Sequence, residues 1–110
     1  PIDTPINPQG PAAYFATLPI KAIVKALKER NIPAMVSDSA GTYVCNHVMY
    51  GVLDYICRNN LNAKAGFIHI PYLPEQTLDK PHMASMSKDA LLEAIHTAIE
   101  VLVEEGGVSC

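Results

Sequence analysis

One hundred and ten residues, 49% hydrophobic and 17% charged, with a formal net charge of -3, suit one small globular domain and exclude a disordered tail. Lys+Arg 8 against Asp+Glu 11, with a pI of about 5.7, leaves no basic footprint for nucleic acid. No apolar run approaches the ~20 residues of a membrane helix, and the opening shows no basic-then-apolar signal pattern. The expectation is a soluble, cytoplasmic protein.

Pro1 to Pro11 holds four of the nine prolines plus Gly10, so it reads as extended or looped chain, the tail of a preceding connection. The pattern then turns helical from Pro19 to Arg30. Ile20, Ile23, Val24 and Leu27 share one face, while Lys21, Lys25 and Lys28 form a solvated one. Pro19 suits the first helical position, and Asn31 before Ile32-Pro33 stops the helix. Ala34-Met35-Val36-Ser37 follows as a short strand.

After the small-residue turn Ser39-Ala40-Gly41-Thr42, a second helix is expected from about Val44 to Arg58. Val48, Val52, Leu53 and Ile56 are its core candidates, and Asn59-Asn60 ends it. Gly66 to Ile70 reads as a buried strand closed by Pro71. Residues 71 to 86 form a loop with three prolines. Ser87 caps a last helix with Leu91, Leu92, Ile95, Ile99, Leu102 and Val103 inward, and Gly106-Gly107 terminates it. Helices alternating with short strands imply an α/β layer fold with parallel pairing. Two strands cannot make a stable sheet alone.

Cys45, Cys57 and Cys110 are an odd, widely spaced set with no CxxC pair, so neither a disulfide framework nor zinc is expected. Cys45 sits where a glycine-containing turn feeds a helix, and a helix N-terminus stabilises a thiolate and an oxyanion. His69, 24 residues later, ends a strand at the sheet edge where α/β folds bind ligands. Together they suit a thiolate–imidazole pair for acyl transfer. The plain alternative is a buried, inert cysteine and a hydrogen-bonded core histidine.

The other candidates read as structural. Cys57 reads as core. His47 projects about 200° away from Cys45 around the helix and cannot serve it as base. His82 and His96 lack ligand spacing, Asp38 and Asp54 read as caps or solvated acids, and Met35, Met49, Met83 and Met86 suit packing and loop contact.

The run Ser37-Asp38-Ser39-Ala40-Gly41-Thr42-Tyr43-Val44-Cys45-Asn46-His47 closely resembles the cysteine signature of pyroglutamyl peptidase type I, also called pyrrolidone carboxyl peptidase. Ala13 to Lys21 resembles the stretch before that family's central helix, and Phe67-Ile68-His69-Ile70-Pro71-Tyr72-Leu73-Pro74 resembles its histidine motif. The three motifs stand in the family's order, and the cysteine-to-histidine spacing agrees.

The resemblance implies a three-layer α/β/α sandwich with a mainly parallel sheet. Residues 1–110 would be the C-terminal half of that single peptidase domain, with the N-terminal half and its triad glutamate absent. It implies a cysteine exopeptidase that releases N-terminal pyroglutamate from peptides, with Cys45 as nucleophile and His69 as acid and base. Tyr43, Val44 and Val48 would line the lactam pocket, with Tyr43 standing where many relatives carry phenylalanine. No metal or organic cofactor is implied, and a homotetramer is. A non-catalytic α/β scaffold and a glutaminase-like Cys–His amide hydrolase remain the competing readings. The 110 residues alone are expected to be inactive and prone to associate.

Overall fold

Local signals place three helices along the chain: α1 at Ile20–Glu29, α2 at Val44–Arg58 and α3 at Lys88–Glu105, with a 3-10 turn at Pro74–Gln76. The computed structural model describes residues 4–41 and 43–106; Thr42, Gly107 and Cys110 therefore lie outside the described residues, as does the start of the proline-rich opening. Pro19 stands as N-cap of α1, one position earlier than expected. Asn31 ends α1 at φ 59°, a left-handed conformation that asparagine tolerates. α2 has the expected limits, with Asn59 as its C-cap. Ser87 Oγ accepts from the Ala90 N–H at 3.2 Å to start α3, and Gly106, at φ 76°, ends it.

α1 packs on α3. Ile23, Ala98 and Val101 are buried at the contact, flanked by Ala22, Ala26, Leu27 and Leu102. Arg30, just past α1, donates to Thr97 Oγ1 and pairs with Glu100 Oε2 at 3.0 Å, which closes one end of the helix pair. The lysines of α1 face solvent as their spacing requires.

α2 is covered by extended chain rather than by a helix. Its buried residues are Tyr50, Leu53, Asp54 and Ile56. The Tyr50 hydroxyl donates to the Pro11 carbonyl at 2.6 Å, and the Tyr14 ring meets the Tyr50 ring edge-on with centroids 4.9 Å apart. Gly10 lies so close that a Cβ there would stand 2.6 Å from the Tyr50 hydroxyl. Only glycine allows that approach.

Three expectations need correction. Residues 34–37 and 66–70 run without ladder partners; the one pairing among the described residues is an isolated parallel bridge, Tyr72 to Ser85. Strands exist through inter-strand hydrogen bonds, and these two short segments form no ladder among the described residues. The 66–70 segment is also not buried: Phe67, Ile68 and Ile70 are exposed, as are Met35 and Val36.

The helix cores are narrower than their periodicity suggests. Val48 and Val52 on α2, and Leu92, Ile95, Ile99 and Val103 on α3, face solvent. α3 is apolar around much of its circumference, the pattern of a helix covered on more than one side, yet α1 covers one. The accessible surface is 8316 Å², whereas a compact monomer of this mass exposes about 5,900 Å². The radius of gyration is 15.8 Å, against about 13 Å for a compact chain of this length. The molecule is a slab 17 Å thick with uncovered faces.

Candidate active site

The turn that feeds α2 is held by serines. Ser37 Oγ donates to the Ser39 carbonyl at 2.8 Å, and the Gly41 N–H donates to Ser39 Oγ at 3.1 Å. Gly41 takes φ 93°, where a side chain would be strained. The chain then enters α2 through Tyr43, which offers no side-chain cap, and the first turn carries no acid. The opening N–H groups of a helix have no partner within it. Cys45, the second residue of α2, is a free, half-buried thiol beside those groups.

His69 lies four residues beyond Ala65, on the extended segment that leads into the proline-rich loop. Its ring is exposed and sits 6.1 Å, centroid to centroid, from the Phe67 ring. The root of that segment is anchored: the Thr17 N–H donates to the Ala65 carbonyl at 2.8 Å, and the Ala65 N–H donates to Thr17 Oγ1 at 2.8 Å. Beyond His69 the loop is closed by the 3-10 turn and by the Met86 N–H donating to the Tyr72 carbonyl at 2.8 Å. No hydrogen bond joins Cys45 to His69 among the described residues.

Tyr43, Val44 and Val48 are exposed near Cys45. Val44 and Val48, four residues apart, share one face of α2. The shallow depression at the far end of α2, lined by Ile56, Asn60, Leu61 and their neighbours, lies a helix length from Cys45 and belongs to another region.

Cys57, read as core, is half-buried. The structure revises one residue read as bland. Asp54, read as a cap or solvated acid, is only 6% exposed. It accepts from the Tyr14 hydroxyl at 2.7 Å, from Asn7 Nδ2 at 3.2 Å and from Arg58 Nε at 2.9 Å. The Tyr14 bond, with Asn7 and Arg58 adding to it, holds the Asp54 carboxyl below its usual range, and the same carboxylate pushes the Tyr14 hydroxyl up to about 12. The i,i+4 spacing of Asp54 and Arg58 was the sequence signal for part of this hub. Asn7 and Tyr14, more than 39 positions upstream, carried none. His47 and His82 are exposed, and His96 pairs with Glu100 Oε1 at 3.0 Å, outside the Cys45 region.

The family model for pyroglutamyl peptidase matches residues 1–105. The chain belongs to the pyroglutamyl peptidase family. It is 65% identical over 104 residues to pyrrolidone-carboxylate peptidase 1 of Caldanaerobacter subterraneus subsp. tengcongensis, covering 94% of this chain and 51% of that protein. Against the pyrrolidone-carboxylate peptidase of Thermoanaerobacter sp. the identity is 60% over 105 residues, covering 96% and 52%. A crystal structure of pyrrolidone carboxyl peptidase from the hyperthermophile Pyrococcus furiosus, described with its Cys-free mutant, aligns with TM-score 0.86 at 50% identity, over 93% of this chain and 51% of that one.

The backbone thus follows the α/β fold of those peptidases even where its extended segments lack ladder partners. The chain spans about half the length of the curated relatives it matches. No helix among the described residues is long and apolar enough to cross a membrane.

Proposed function

We propose that this chain carries the reacting cysteine and histidine of a cysteine exopeptidase that removes N-terminal pyroglutamate from peptides. The observation that carries the reading is the free Cys45 thiol at the uncapped start of α2, in a chain that belongs to this family. Cys45 attacks the carbonyl joining the lactam residue to the next amino acid, forming the S–C bond as His69 takes the thiol proton. The C–N bond then breaks, and His69 returns the proton to the leaving amine. Water hydrolyses the thioester and releases pyroglutamate. The free N–H groups at the start of α2 hold the oxyanion in both steps.

Tyr43, Val44 and Val48 supply one apolar wall of the lactam pocket in this reading. The missing wall, the remaining strands of an α/β/α sandwich and an orienting carboxylate for His69 come from the other half of the domain. The uncovered faces of α2 and α3 and the large surface support that division. A cytoplasmic homotetramer without metal or organic cofactor completes the proposal.

The test is hydrolysis of a pyroglutamyl anilide by the 110 residues alone and by the full-length enzyme carrying them. The fragment is expected to be inactive and to associate, since loss of the orienting carboxylate of a comparable triad lowers turnover by about 10⁴-fold. The full-length enzyme cleaves the pyroglutamyl substrate and spares glutamine. It cleaves N-terminal prolyl analogues at least on the order of hundreds of times more slowly, because proline leaves lactam-binding groups unpaired and buries a charge. Comparable rates on prolyl and pyroglutamyl substrates, or hydrolysis of glutamine instead, would contradict the reading.

A further inference from the structure

The stretch Asn7 to Leu18 has no regular secondary structure, yet it is fastened at both ends to the two elements that carry the reacting residues. At one end it lies on α2. Asn7 and Tyr14 both donate to Asp54, and the Pro11 carbonyl accepts from Tyr50. Gly10 allows the close approach between them. At the other end Thr17, 2% exposed, makes three hydrogen bonds to Ala65. Its N–H and its hydroxyl both donate to the Ala65 carbonyl, at 2.8 and 3.2 Å, and its Oγ1 accepts from the Ala65 N–H at 2.8 Å.

Gly66 sits directly against this anchor. A Cβ there would stand 2.8 Å from Leu18 Cδ1 and 3.2 Å from the Ala16 Cβ. Between Tyr14 and Thr17, Phe15 is 94% exposed, so burial of its side chain does not hold the link between the two anchors.

We propose that Asn7–Leu18 is a strap that sets the position of the His69 segment relative to α2, and that Thr17 and Tyr14 are positioning residues for the Cys45–His69 pair. This rests on the proposed roles of Cys45 and His69. Residues 59–64 join α2 to the 65–70 segment along the chain, and the strap adds a second link between them, made of hydrogen bonds to Asp54 and Tyr50 at one end and to Ala65 at the other. His69 stands four residues beyond the Thr17 anchor, about 13 Å along an extended chain. A tilt at the anchor is therefore carried to the imidazole. Misplacement of a reacting group by ~1 Å costs on the order of 10²-fold in rate. Such a loss falls on the chemical step and not on substrate affinity, because neither Thr17 nor Tyr14 belongs to the proposed pocket wall.

The test uses the full-length enzyme and the isosteric variant Thr17→Val, which keeps the backbone bond and removes both hydroxyl bonds. The expected result is a kcat reduced about 10- to 100-fold with KM within about twofold of wild type. Thr17→Ser, which keeps both bonds, restores kcat. Should Thr17→Val fail to fold by circular dichroism, Tyr14→Phe deletes one hydroxyl at the other anchor and carries the same expectation.

A wild-type kcat in folded Thr17→Val, a change confined to KM, or a Thr17→Ser variant as impaired as the valine would overturn the proposal. His69→Ala run alongside separates the two levels. If it lowers kcat while Thr17→Val does not, the strap role fails and the proposed chemistry stands; if it leaves kcat unchanged, the chemistry itself fails.

Discussion

The starts of α2 and α3 solve the same physical problem in opposite ways. α3 begins with Ser87, whose hydroxyl accepts from the Ala90 N–H, and Asp89 adds a negative charge to the first turn. α2 begins with Tyr43, which caps nothing, and its first turn has no acid. A serine or aspartate cap stabilises a helix by about 1 kcal/mol. α3 takes that stabilisation, and its Ala90 N–H is engaged by the cap. α2 forgoes it at Tyr43, and among the described residues no side chain caps the helix start beside Cys45, where N–H groups favour a developing negative charge. The two helix ends thus differ in what the cap position holds, and the proposed nucleophile stands at the one whose cap residue makes no side-chain bond.

The largest effect is expected at Cys45. Cys45→Ser in the full-length enzyme should lower pyroglutamyl hydrolysis at least on the order of a thousandfold with the fold intact, since a hydroxyl is far less nucleophilic than a thiolate. Retention of a tenth of the activity would remove Cys45 from the mechanism. A smaller effect sharpens the contrast: Tyr43→Asp gives α2 the kind of cap that α3 has. It should raise the melting temperature slightly and slow Cys45 alkylation by roughly tenfold, through engaged N–H groups and a like charge beside the thiolate. Faster alkylation in that variant would mean that the open helix end does not assist the thiolate. Ser87→Ala is the matching control at α3. It should cost about 1 kcal/mol of stability in a denaturant titration and leave Cys45 alkylation unchanged.

The boundaries of all three helices were legible in the sequence because their causes are local: amphipathic spacing, a serine cap, an asparagine or glycine in the left-handed region. Cys45 and His69 stand out in the sequence because each sits in a distinctive run of neighbours, and the roles given to them are the proposal made above. What was not legible depends on distant partners. Val48, Val52, Ile95 and Ile99 have the same spacing whether or not something covers them, so periodicity marks them as apolar and cannot say that they are exposed here. Residues 34–37 and 66–70 have strand composition, but a ladder needs neighbours that these segments do not provide. Asp54 looked like a surface acid because its tyrosine and asparagine partners come from a proline-rich stretch far upstream.

The smallest expected effect concerns that Asp54 hub. The Asp54 carboxyl is lowered from 3.8, so its contribution to stability is present above that value and is lost as pH falls through the lower folded value. The Tyr14 hydroxyl is raised from 10.0 to about 12, so its contribution is present below pH 10 and is lost as pH rises towards 12. Melting temperatures of wild type and Tyr14→Phe across pH 3 to 12 should converge at the alkaline end, where the wild-type advantage disappears. A constant difference between them across the whole range would show that this hydroxyl does not contribute through Asp54.

The most direct test of the central claim is the rate at which iodoacetamide alkylates Cys45 in the full-length enzyme at pH 7, set against a free cysteine peptide under the same conditions. A cysteine nucleophile assisted by the start of α2 and by His69 should react on the order of ten times faster than the peptide or more. His69→Ala should remove much of that advantage. A Cys45 that reacts no faster than the peptide, with or without His69, would contradict the account and leave α2 as a helix that merely lacks a cap.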